Sequence, residues 1–188
     1  MHSLLELPIE EKDGRFWRYA GNDKYRFVLE CFDELPKKGT ITENSLVCIG
    51  ANSSTAVPGS LDPTLKTVDR VAKRYGYDGF VMLNLSPIRA TNPQDLPKTQ
   101  EEWMYRENIE WIESILNEHS SVYCAWGNLI EIREYMNIFK NLIIPEHTIW
   151  LSRGPVSKKG HPHHPLYVKD DALLDNFDIK AYQEKMKG

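Results

Sequence analysis

Four short polar segments hold the residues of this chain whose types and spacing can do chemistry. The first is GANSSTAVPGSLDPT (50–64), which follows an apolar run. Gly50, Ala51 and Ser53 are small enough for the backbone to approach a ligand, and Asn52, Ser53, Ser54 and Thr55 supply donors and acceptors. Asp62 directly precedes Pro63, the order of a helix N-cap and first helical residue, and a helix start favours nearby anions. Asp62 is thus either a cap alone or, if it reaches the cleft, the nearby carboxylate able to take a proton. No Gly-Lys-Ser/Thr follows, which excludes a Walker phosphate loop.

The second segment, NLSPIRATNP (84–93), begins with an Asn closing an apolar strand. The Asn84 amide there either ties down the loop or reads a nucleobase edge through paired donor and acceptor groups. Arg89 adds a guanidinium suited to phosphate or carboxylate. In the third, AWGN (125–128), Trp126 is placed to pack beneath the site, Gly127 to make a turn and Asn128 to cap a helix. The fourth, SRGPVSKKGHPHHPLYV (152–168), sets His161, His163 and His164 among prolines. Such a loop displays imidazoles that act as acid, base or electrophile, and His161 is the first choice to point into the cleft. The three lie too close together to form a metal site alone, and no cysteine stands at zinc-finger spacing, so neither metal nor cofactor is expected.

These segments need elements to position them, and the apolar pattern supplies candidates. LVCIGA (46–51), GFVMLNL (79–85), SVYCAWG (121–127) and HTIWLS (147–152) are continuous apolar runs, as in strands buried on both faces. Between them, Leu65, Val68, Val71, Ala72 and Tyr75 recur at helical spacing, with Gly76 as the stop. Thr99 to Glu102 reads as a capping box for a helix running to about Asn117, and further helices are expected over 128–139 and 173–186. RFWRYA and KYRFVLECF, joined around Gly21-Asn22-Asp23, read as an N-terminal hairpin. Its aromatics Phe16, Trp17 and Tyr19 either pack it onto the sheet or, exposed, mark a protein-binding face. The expectation is a single domain over 1–188 in a three-layer α/β/α arrangement, with a central four-stranded mainly parallel sheet plus that hairpin. Ligands in such folds bind outside the carboxyl ends of the strands, where all four polar segments fall.

Composition narrows the partner. The 188 residues are 41% hydrophobic and 27% charged, the balance of a globular chain. A net charge of −4 argues against holding duplex DNA by phosphate neutralisation, although Lys158 and Lys159 beside the histidines form a local basic patch. Cys31, Cys48 and Cys124 each sit in an apolar run without a CxxC pair, which predicts reduced buried thiols and a cytoplasmic protein. The N-terminus lacks the pattern of a signal peptide, and no apolar run approaches membrane-spanning length.

As an ordered set, GANSSTA…DPT, VMLNLSPIRATNP, YCAWGN and GHPHHPLY closely resembles the bacterial and phage family called domain of unknown function 1643, from Lys24-Tyr25-Arg26 to Tyr167. The motif order is also distantly similar to that of the uracil-DNA glycosylase superfamily. That likeness implies a water-activating loop at Gly50 to Ser54, a base-reading Asn84, Trp126-Gly127 closing a strand, and His161-Pro162 in the loop that stabilises the departing base. The chain departs from the pattern where Ser53 follows Asn52, where no Asp stands in the loop, and where His163 replaces the Ser after Pro162. Leu166 and Tyr167 are the candidates for the wedge that follows this loop.

The resemblance implies hydrolysis of an N-glycosidic bond in a nucleoside, nucleotide or modified single-stranded nucleic acid. Asn52 would hold water, Asp62 take a proton, and His161 stabilise the leaving base; Gly50, Ser53, Ser54, Asn84, Arg89, His163 and His164 would bind substrate. The alternative is a nucleotide- or base-binding module without turnover, which the missing loop Asp favours.

Overall fold

A computed structural model describes residues 2–42 and 44–188. Its strands are β1 (Glu10–Lys12), β2 (Arg15–Gly21), β3 (Arg26–Phe32), β4 (Ser45–Ser53), β5 (Gly79–Arg89), β6 (Ser121–Ala125), β7 (Ile149–Arg153) and β8 (Leu174–Asn176). Three α-helices accompany them: α1 (Pro63–Arg74), α2 (Glu102–Glu118) and α3 (Ile179–Lys187). The strands form one mixed sheet in the order β1-β2-β3-β5-β4-β6-β7-β8. β4 runs parallel to β5 and β6, and β6 parallel to β7, whereas every other pairing is antiparallel.

The expectation of a four-stranded central sheet with a separate hairpin is therefore corrected to a continuous eight-stranded sheet. The β2–β3 hairpin joins it because β3 pairs with β5, Leu29 opposite Met82. At one edge, β1 folds back through Asp13-Gly14, both at positive φ (54° and 70°), a two-residue turn of the kind Asp-Gly favours. At the other, Leu174–Asn176 pair with β7, so the last helix begins at Ile179 rather than 173, with Asp178 accepting from Ala181 N.

Alternation along each strand sorts side chains onto two faces. Leu46 and Cys48 of β4 pack with Leu65, Val68 and Ala72 of α1. Val47 and Ile49 face the other way, toward Ile112, Ile115 and Leu116 of α2 and Ile179 of α3. Each buried Val, Leu or Ile among them contributes about 1.5–3 kcal/mol of transfer free energy. Phe16 and Tyr19 are half-buried and Trp17 is buried against the α1 face, so the hairpin aromatics serve packing. All three cysteines are buried and unpaired, and burial pushes their thiols up, Cys31 to about 12. Among the described residues, no helix is long and apolar enough to cross a membrane.

Two helix expectations are corrected. The capping box does not form, because α2 is capped at an extended Glu101 without a side-chain bond. The helix expected over 128–139 is three 3-10 turns, Gly127–Glu131, Glu134–Met136 and Ile138–Lys140. The extended backbone of Arg133 breaks it, and that guanidinium donates to the carbonyls of Gln94, Leu96 and Pro97. Those bonds hold the β5–α2 loop in place of helical continuity.

Candidate functional site

The carboxyl ends of β4 and β5 open into a cleft of about 240 Å³. Its floor exists because residue 50 is glycine: a Cβ there would lie 2.6 Å from Met82 Cε and 3.0 Å from Asn84 Oδ1. Asn84, 1% exposed, donates from Nδ2 to Ser53 Oγ (3.1 Å), and Ser53 Oγ donates to the Arg26 carbonyl (2.9 Å). The Asn84 Oδ1 atom has no hydrogen-bond partner among the described residues. Beneath it, Asn108 of α2 donates to the carbonyls of Asn84 and Leu85 (3.0 and 3.2 Å), which fixes the middle of β5. Asn84 thus holds a buried, unpartnered acceptor at the cleft floor beside Gly50.

The opposite wall comes from the β4–α1 loop and the histidine loop. Asp62 does cap α1, accepting from Leu65 N (2.8 Å), and its other oxygen accepts from the Ser54 hydroxyl. It also lines the cleft. Asn52 lines the cleft too, with Nδ2 donating to the carbonyls of Ser53 and Ala90 (2.9 Å each). His164 is the histidine that lines it. Its Nδ1 accepts weakly from Leu166 N (3.4 Å), an arrangement that leaves Nε2 as the N–H. Burial pushes the His164 pKa below the ordinary value, with the Asp62 charge opposing the shift.

Four residues assigned to the site do not line this cleft. His161, 1% exposed, lies outside this cleft in a closed chain. Trp126 Nε1 donates to Tyr182 Oη (3.0 Å), Tyr182 Oη lies 2.8 Å from His161 Nδ1, and His161 Nε2 lies 3.0 Å from Glu131 Oε1. Because indole N–H only donates, the tyrosine hydroxyl donates onward to Nδ1 and the imidazole N–H goes to Glu131. His161 pins the histidine loop to α3; it does not face the ligand space. Arg89 is a clamp, donating to the carbonyls of Ser54, Asn22 and Thr55 and reaching Tyr19 Oη. Ser53 is fully buried as a strut, and His163 is not part of the lining. Asn128, expected as a helix cap, instead accepts from Ser157 Oγ (2.8 Å).

Sequence reasoning missed Arg26. Its side chain, 1% exposed, lines the cleft from β3 and donates to the Ala56 carbonyl (3.0 Å). Burial pushes the guanidinium down to about 10, with Asp62 pulling it back up. The available signal was a charged residue opening the strand-like run RFVLECF, whose other charge is Glu30. Leu166 and Tyr167 form the outer lip, Tyr167 82% exposed. Among the described residues, no group of three or more His, Cys, Asp and Glu side chains is gathered as a metal site.

The family model of the protein of unknown function DUF1643 matches residues 34–166. The chain belongs to the DUF1643 family. No curated protein and no solved structure matches it. The DUF1643 match takes in both loops that flank the cleft, from Gly50 to Leu166, and ends short of Arg26 on one side and Tyr182 on the other.

Proposed function

We propose that the cleft of this DUF1643 protein recognises a nucleobase, carried by a nucleoside, nucleotide or single-stranded nucleic acid. The observation that carries the reading is the Asn84 Oδ1 acceptor, buried and unpartnered midway along β5 beside Gly50. A buried acceptor is costly until a donor reaches it, and an exocyclic amine or ring N–H of a base is such a donor. The cleft's volume, about 240 Å³, lies below the usual range for drug-sized ligands, which suits a single base ring system. The motif-order similarity to uracil-DNA glycosylases supports the same reading.

A second reading adds turnover, and the placement of Asp62 and His164 on one cleft favours it. In N-glycosidic hydrolysis, water adds to C1′, the C1′–N bond breaks, and the proton released by water ends on the base. His164 replaces His161 as the group that donates to the departing base, through Nε2–H. Asn52 would orient the water and Asp62 take its proton. Against turnover, both Asp62 oxygens already accept hydrogen bonds.

The test measures thermal stabilisation and free base together across nucleosides, nucleotides and short single strands. Stabilisation by a base-containing ligand, lost in Asn84→Leu, supports recognition; released base, lost in His164→Ala, adds hydrolysis. Asn84→Leu protein that is stabilised as well as the native one sinks the reading.

A further inference from the structure

We infer that the cleft also holds an anionic subsite, centred on the Arg26 guanidinium, that takes the terminal phosphate of a nucleotide. The inference deepens the base-recognition reading and rests on it for the identity of the rest of the ligand.

Three arginines are at least 97% buried, and two of them are compensated by the protein. Arg18 pairs with Glu30 at 2.8 Å. Arg153 donates to three main-chain carbonyls, those of Ala172, Lys169 and Asp170. Each of the three keeps one buried nitrogen without a partner among the described residues, Arg18 Nε, Arg26 Nε and Arg153 Nη1; what sets Arg26 apart is that Ala56 is its single carbonyl partner and no carboxylate lies within ion-pair distance. Burying a guanidinium with so little compensation is unfavourable, and the cleft it lines is the direction from which an acceptor can arrive.

The other charges facing that space are few. Asp62 is the one carboxylate of the lining and is held by Leu65 N–H and the Ser54 hydroxyl at the N-terminus of α1. That helix start also biases the cleft toward negative charge. His164 adds an imidazole that burial holds toward its neutral form. A phosphate accepts two parallel N–H bonds from one guanidinium and also neutralises its buried charge, which a neutral ligand does not. Arg26 is 1% exposed, so the group that reaches it must be an end rather than the middle of a strand. A free nucleoside monophosphate and the phosphorylated end of an oligonucleotide share this chemistry.

The experiment compares ligands on the native chain and on Arg26→Gln and Arg26→Lys, by thermal shift and by phosphorus NMR of the free ligand. The probes are adenosine, cytidine, guanosine and uridine, their 5′-monophosphates, inorganic phosphate, and one short oligonucleotide with and without a 5′-phosphate. The expected result is that a 5′-monophosphate binds the native protein about tenfold or more tightly than its nucleoside. Arg26→Gln abolishes the preference and Arg26→Lys retains part of it. A preference confined to the phosphorylated oligonucleotide assigns the same subsite to a strand end.

Equal binding of nucleoside and monophosphate to the native protein overturns the subsite and leaves base recognition standing. This comparison needs no variant, so it decides the matter even if Arg26→Gln fails to fold. Binding of inorganic phosphate alone, lost in Arg26→Gln, keeps the subsite and removes the nucleobase. Silence of every probe removes both.

Discussion

Gly50 and Asn84 set the cleft's shape and polarity between them, and each makes a prediction of its own. Gly50→Ala places a methyl 2.6 Å from Met82 Cε, the free end of a flexible side chain, so the fold survives with a loss of about 1–3 kcal/mol. The same methyl crowds Asn84 Oδ1, so ligand-induced stabilisation should vanish while the variant's circular dichroism stays native. The two histidines separate in the opposite way. His161→Ala removes a buried link between Tyr182 and Glu131 and should lower unfolding free energy by about 1–3 kcal/mol in urea titration. His164→Ala leaves that chain intact and should act mainly on ligand binding. If the His161 variant is fully stable and the His164 variant is not, the roles given to them are reversed.

α1 is the element most legible in the sequence, because local chemistry specifies it end to end. Asp62 caps it, Pro63 opens it, Gly76 at φ +77° ends it, and Leu65, Val68, Val71 and Ala72 make one apolar stripe. The stretch after β6 was not legible, since its apolar residues Ile130, Met136, Ile138 and Phe139 are all buried through separate 3-10 turns. What holds those turns is long-range: Arg133 on the β5–α2 loop and α3 over Phe139, where Gln183 donates to its carbonyl. The junction of α3 with the histidine loop rests on one hydroxyl. Tyr182→Phe forfeits the bonds to Trp126 and His161 and should cost about 1–3 kcal/mol, with hydrogen exchange rising first over 157–167 and α3. Exchange unchanged in the histidine loop would show that α3 does not restrain it.

Across the whole chain, burial of ionisable groups gives stability a pH dependence of definite sign. Burial lowers the pKa values of His119 and His164 below the ordinary 6.5 of the unfolded chain. Between that value and the lowered ones the unfolded state binds protons that the folded state refuses, so this contribution is complete above 6.5 and is lost on acidification. Glu30 and Glu118 act in the reverse sense, because burial raises both above 4.5; their contribution is fully present below 4.5 and is lost as pH rises through the raised values. The histidine part is isolated by comparison: from about pH 7 to 5.5 the native melting temperature should fall more than that of His119→Gln/His164→Gln. Parallel curves would mean that neither imidazole is held neutral by the fold.

The sequence by itself determined what is local or periodic. It placed the hairpin, α1 and the apolar runs of β4 to β7, and it picked out the loops from which Gly50, Asn52, Ser54, Asp62, Asn84 and His164 line one cleft. Turn residues, caps and alternation act over a few positions, so their signals survive in one dimension. Tertiary structure decided which of three neighbouring histidines faces the cleft, because that depends on Tyr182 and Glu131 reaching His161 from elsewhere in the chain. It also turned Arg89 from a candidate ligand into a clamp and brought Arg26 to the cleft wall from a separate strand. A side chain's partners are set by the crossing of distant segments, and burial then decides whether its charge or its spare acceptor is left for a ligand.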